Sequence, residues 1–113
     1  MASIKPPGLD PDGRSPITVQ TGAEGGTPVV SLSGELDLTN AERVKSAIGD
    51  MITAGTERLV VELSELEFMD SSGLALLASF ARKVPEVELR DPSPIVRRLI
   101  DLTGLAEILN VTP

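Results

Sequence analysis

The run Phe68-Met69-Asp70-Ser71-Ser72-Gly73-Leu74-Ala75-Leu76-Leu77 constrains the fold more than any other part of the chain. An apolar strand ends in an acid, two serines and a glycine, and a strongly apolar helix begins at once. The junction sets a hydroxyl at a helix N-terminus, where the macrodipole favours a phosphate. Local physics alone offers a plainer account. Ser71 or Ser72 caps the helix, Asp70 complements the dipole, and Gly73 lets the backbone turn.

The rest of the chain alternates around this junction. Residues 1–28 hold five of the nine prolines and five of the ten glycines, and residues 1–15 read as a flexible arm. Ile17 to Gln20 form a first strand, joined through residues 22–26 to a second. In that second strand Val30 and Leu32 alternate with serines, and Gly34 breaks it. Ala41, Val44, Ala47 or Ile48, and Met51 or Ile52 follow at helical spacing, with Thr39 or Asn40 as the cap and closure near Gly55. Leu59 to Leu63 form a central strand rich in β-branched residues. The helix after Asp70 runs to about Arg82 or Lys83 and stops before Pro85. Val87 to Leu89 form a short strand. A third helix spans roughly 94–103 and ends at Gly104, and residues 105–111 close the domain, part helical turn and part strand. Alternation of this kind implies an α/β domain with a mainly parallel or mixed sheet.

The helix after Asp70 has an uneven distribution of apolar residues. With Leu74 at the centre of its buried face, Leu77, Ala78 and Ala81 fall within about 60° at 100° per residue. Leu76 and Phe80 then project to the opposite side. Either neighbouring helices cover them, or they form an exposed apolar patch beside the serines, suited to docking.

Composition excludes several functions. Aromatics make up 2% of the chain, so the core is aliphatic and stacking platforms for nucleic-acid bases are lacking. A net charge of −7 opposes a nucleic-acid partner and favours a basic protein surface. With no cysteine and no histidine, disulfides, thiolate zinc sites and histidine acid–base chemistry are absent. No run approaches the roughly 18 apolar residues of a membrane span. The N-terminal residues lack a signal-peptide hydrophobic region, which makes the cytoplasm the default location. A serine nucleophile would need a base, and neither a Gly-x-x-x-x-Gly-Lys loop nor Gly-x-Ser-x-Gly occurs. The chain is therefore expected to be neither an enzyme nor a carrier of a metal or cofactor. A small enzyme using carboxylates alone is the competitor from another class, although Glu62, Glu65 and Glu67 read better as solvated surface.

Residues 68–77 resemble the phosphoacceptor loop of bacterial anti-sigma-factor antagonists, whose fold is the STAS domain. Two further segments agree, in family order. Ser33-Gly34-Glu35-Leu36-Asp37 is similar to the loop before the first helix. Ser93-Pro94-Ile95-Val96-Arg97-Arg98-Leu99 with Thr103-Gly104-Leu105 is similar to the late helix and closing turn. The resemblance implies a STAS domain over residues 16–113, with a mixed four- to five-stranded sheet and packed helices. It implies Ser71 as the phosphoacceptor, Asp70 as the acid before it, and Ser72 and Gly73 as partner contacts, with Asp37 near the same surface. Leu76 and Phe80 complete the expected partner surface. Leu38 departs from those members that carry a polar residue or histidine there. The implied function is to bind an anti-sigma factor when unphosphorylated and so free a sigma factor. The anti-sigma factor would also be the serine kinase, and a separate serine phosphatase would reset the switch. ATP and magnesium would then belong to the partner. A STAS adaptor in a transporter or signalling scaffold is the alternative. Nothing in the sequence sets the oligomeric state.

Overall fold

A computed structural model describes residues 16–113; the arm expected over residues 1–15 lies outside the described residues. The strands are β1 (Thr18–Glu24), β2 (Thr27–Leu36), β3 (Arg58–Met69), β4 (Glu86–Arg90) and β5 (Asn110–Thr112). The helices are α1 (Ala41–Gly49), α2 (Ser71–Ala81) and α3 (Pro94–Thr103), and a 3-10 turn covers Leu105–Glu107. The sheet order is β1-β2-β3-β4-β5. β1 pairs antiparallel with β2, and every other neighbouring pair is parallel. The expected α/β class and mixed sheet are both present.

Register explains the single core. Val30, Val61, Leu89 and Val111 stand side by side across four strands. They share one face with Leu32, Leu59, Leu63 and Val87. Val44 and Ile48 of α1, Leu77 and Phe80 of α2, and Val96 and Ile100 of α3 enter the same cluster, so the three helices cover one face of the sheet. α3 has the clearest ends. Ser93 accepts from the Val96 N–H, Pro94 opens the helix, and Gly104 closes it at φ 75°.

Several boundaries differ from the sequence reading: β1 runs on to Glu24, past the expected end at Gln20, and β3 runs on to Met69, past Leu63. Gly34 does not end β2, which continues to Leu36. At φ 98° it sits between two register shifts against β3, as a bulge glycine does. α1 ends at Gly49 and not near Gly55. Its last turn tightens, with the Met51 and Ile52 N–H groups donating to the carbonyls of Ile48 and Gly49.

The opposite face of the sheet is charged. Glu88, only 5% exposed, lies among Arg58, Arg90 and Thr112. Arg90 also reaches Glu24 on β1 at 3.1 Å. Burial alone would raise the Glu88 carboxyl, but the Thr112 hydroxyl and the two guanidiniums outweigh it and hold the group below the usual carboxylate range. A lowered folded-state pKa gives stability that is complete above the unfolded value of about 4.3 and is lost as pH falls through the folded value. Glu88→Gln should therefore lower the urea midpoint at pH 7, and the gap to wild type should narrow as the pH is taken from 7 to about 3, below the unfolded value of about 4.3. A gap of equal size at both pH values would remove the carboxylate charge as its source.

Candidate functional site

Parallel strands β2 and β3 end side by side, and each feeds a helix. The two strand–helix loops therefore meet at the carboxyl end of the sheet, the usual place for sites in such folds. The Asp70 N–H donates to the Leu36 carbonyl at 3.1 Å, which extends the ladder into the loops.

Asp70 is the residue that builds the site. It is the N-cap of α2, in extended conformation. Its Oδ1 accepts from the N–H groups of Ser72 at 2.8 Å and Gly73 at 3.3 Å. Its Oδ2 accepts from the Leu38 N–H at 3.3 Å, so one carboxylate ties the helix start to the neighbouring loop. The expectation that Ser71 or Ser72 caps the helix is corrected. The carboxylate of Asp70 reaches two donors at once, and the serines become the first two residues of the helix itself.

Ser71 is exposed at the first helical position, and Ser72 is half-buried. Among the described residues no hydrogen-bond partner meets the Ser71 hydroxyl, which faces solvent. The positive end of α2 is already compensated by Asp70. A phosphate on Ser71 would therefore meet a carboxylate beside it, and not an empty anion site.

The adjoining loop is locked by its own polar groups. Asp37 Oδ1 accepts from the Thr39 N–H at 2.9 Å and from the Thr39 hydroxyl at 2.6 Å. Asn40 accepts from the Asp37 N–H at 3.0 Å and donates to the Glu35 carbonyl at 2.8 Å. Asn40 stands at the N-cap position of α1 but makes no side-chain cap bond, so neither expected cap acts as one. This Asx turn presents Leu38, which is 77% exposed. Between α1 and α2, beside the loop, runs a groove of about 270 Å³, lined by Leu38, Ala41, Glu42, Lys45, Ser72, Ala75 and Leu76.

Several expected surface residues are buried. Phe80 is 1% exposed and Leu76 4%, so the exposed apolar patch on α2 does not exist. The buried stripe is centred near Gly73 and Leu77, about 100° round the helix from Leu74 by the 3.6-residue repeat. Gly73 is the reason. A Cβ there would lie 2.9 Å from Met69 Sδ and 3.0 Å from Leu36 Cδ2, so these ends of β3 and β2 fill the space a side chain at 73 would take. Gly73 therefore belongs to the interior and not to a contact surface. Asp37 is likewise buried, committed to shaping its loop. Sequence reasoning noticed Leu38 only as a departure. Its signal was an apolar residue inside a turn of polar ones.

With fold and site in view, the class is that of STAS domains. The family described as "Mlab, STAS domain" matches residues 19–110. The chain belongs to this family. It is 36% identical over 94 residues to the anti-sigma-F factor antagonist RsfB of Mycobacterium tuberculosis, covering 79% of this chain and 75% of that protein. Among solved structures it is similar to an anti-sigma factor antagonist from Mycobacterium paratuberculosis, with TM-score 0.81, 34% identity and coverage of 92% and 89%. Unphosphorylated SpoIIAA gives TM-score 0.72 at 27% identity, covering 85% of this chain and 89% of that one. The phosphorylated form of SpoIIAA, from Bacillus, gives TM-score 0.66 at 27% identity, covering 85% and 92%.

Proposed function

We propose that this chain is a cytoplasmic anti-sigma-factor antagonist switched by phosphorylation of Ser71. The observation that carries the reading is an exposed serine hydroxyl directly after a helix-capping aspartate, in a family whose similar members are anti-sigma factor antagonists. The same similarity favours this reading over a transporter or scaffold adaptor. Unphosphorylated, the chain binds an anti-sigma factor and frees its sigma factor. That partner is also the serine kinase, a serine phosphatase reverses the modification, and the chemistry of phosphoryl transfer belongs to them.

Phosphorylation adds about −1.5 to −2 charges next to Asp70, on the rim of the contact surface. Every 1.4 kcal/mol of mismatch with the partner costs about tenfold in affinity, so repulsion and bulk suffice without refolding. The contact surface consists of Ser71, Ser72, the rim of Asp70 and the groove beside them, with Leu38 as the apolar anchor. Burying an exposed leucine is worth roughly 1.5–3 kcal/mol, or about one to two powers of ten in affinity.

Incubation with the anti-sigma kinase and ATP should place one phosphate on Ser71. Ser71→Ala should abolish incorporation and keep binding. Leu38→Ser should weaken binding by about tenfold to a hundredfold at an unchanged melting temperature. Phosphate found by mass spectrometry on Ser72 in the wild type would overturn the assignment. Leu38→Ser binding like wild type would remove the anchor.

A further inference from the structure

The turn between β2 and α1 satisfies most of its backbone donors by itself. Of the five N–H groups from Asp37 to Ala41, four find acceptors on Asp37 or Asn40. The Asp37 N–H donates to Asn40 Oδ1 at 3.0 Å and the Thr39 N–H to Asp37 Oδ1 at 2.9 Å. The N–H groups of Asn40 and Ala41 both donate to the Asp37 carbonyl, at 3.1 and 2.9 Å. Leu38 is the exception. Its N–H leaves the turn for Asp70 Oδ2, at 3.3 Å. The Leu38 side chain is 77% exposed, so packing does little to hold this residue and the task falls to its backbone. The other oxygen of the same carboxylate, Oδ1, is taken by the Ser72 and Gly73 N–H groups at the start of α2.

We infer that Asp70 is a positioning residue for the partner contact: its Oδ2 fixes the Leu38 backbone against the start of α2, so that Leu38 meets the anti-sigma factor already in place. The inference rests on Leu38 as the anchor of the proposed interface and adds what holds that anchor. A leucine on a loose turn has to be ordered when the partner binds, and that ordering lowers affinity. The two oxygens of Asp70 thus divide two tasks. Oδ1 caps the helix, and Oδ2 holds the turn. Asp70→Asn separates them, because asparagine caps helices about as well as aspartate. Two helix donors meet one side of the group and one turn donor meets the other. The amide therefore gives its oxygen to Ser72 and Gly73. Its nitrogen carries only donors, and it then faces the Leu38 N–H, which loses its acceptor.

Amide exchange in the full chain without a partner, followed by NMR, tests the first half. In Asp70→Asn the Leu38 amide should exchange at least about tenfold faster. The amides of Thr39, which Asp37 accepts, and Ser72, which keeps its acceptor, should exchange as in wild type. Loss of the negative charge alone would quicken all three. Binding to the anti-sigma kinase tests the second half. Asp70→Asn should weaken it by about threefold to tenfold in the wild-type background. In the Leu38→Ser background the same change should cost less than about twofold, since no anchor remains to be positioned. Equal losses in the two backgrounds would mean that Asp70 acts on the partner directly, and that overturns the inference. So does a Leu38 amide that exchanges as in wild type, or an acceleration shared equally by the three amides. A wild-type chain that binds no anti-sigma factor is a separate failure. It refutes the proposed function, while amide exchange still decides whether Asp70 holds the turn.

Discussion

Phe80→Ser is expected to collapse the domain and not to weaken an interface. Phe80 is the largest of the fully buried side chains and joins α2 to the common core. Truncating a buried phenylalanine costs roughly 3–5 kcal/mol through lost transfer energy and the cavity left behind. The hydroxyl adds an unsatisfied polar group to an apolar site. For a domain near this size each kcal/mol lowers the melting temperature by about 4–8 °C, so a fall of more than about 10 °C should be seen. Partner affinity would fall only as the folded fraction falls. A melting temperature within about 2 °C of wild type would show that the side chain is not the core element its burial indicates.

Gly34→Ala should be of comparable severity, for a backbone reason. At φ 98° the residue occupies a region that L side chains avoid. A Cβ there would run into the carbonyl oxygen of Pro16 and come within 3.0 Å of its carbonyl carbon. Backbone strain and forced overpacking each cost about 1–3 kcal/mol, so a loss of at least about 3 kcal/mol in urea unfolding is expected. Gly22→Ala is the control. Its Cβ would meet nothing within 4 Å and its φ is ordinary, so stability should hold or rise slightly. Equal effects at the two glycines would exclude the Pro16 contact as the cause.

The helical and strand segments were legible because hydrophobic period is a local property. α3 matches its expected bounds since Ser93, Pro94 and Gly104 mark its ends within a few residues of chain. β2 was read too short because a glycine signals a break as well as a bulge. Only the neighbouring strand and Pro16 decide which of the two it is. α2 was rotated by about one residue because periodicity weighs side chains, and glycine has none. The buried face is the one where Gly73 leaves room, and that is known only once Met69 and Leu36 are in place.

The functional site divides in the same way. The amino-acid sequence by itself determined an aliphatic α/β domain and a strand–helix junction carrying Asp70 and Ser71. It also supplied the likeness to the STAS family, since each of these is written in composition, local period or contiguous residues. Tertiary structure alone decided that Asp70, and not a serine, caps α2. The same carboxylate reaches Leu38 across 32 positions of chain. Structure also buried Leu76, Phe80, Gly73 and Asp37, and left Leu38 exposed. Exposure depends on what packs above a residue, and distant parts of the chain supply that cover.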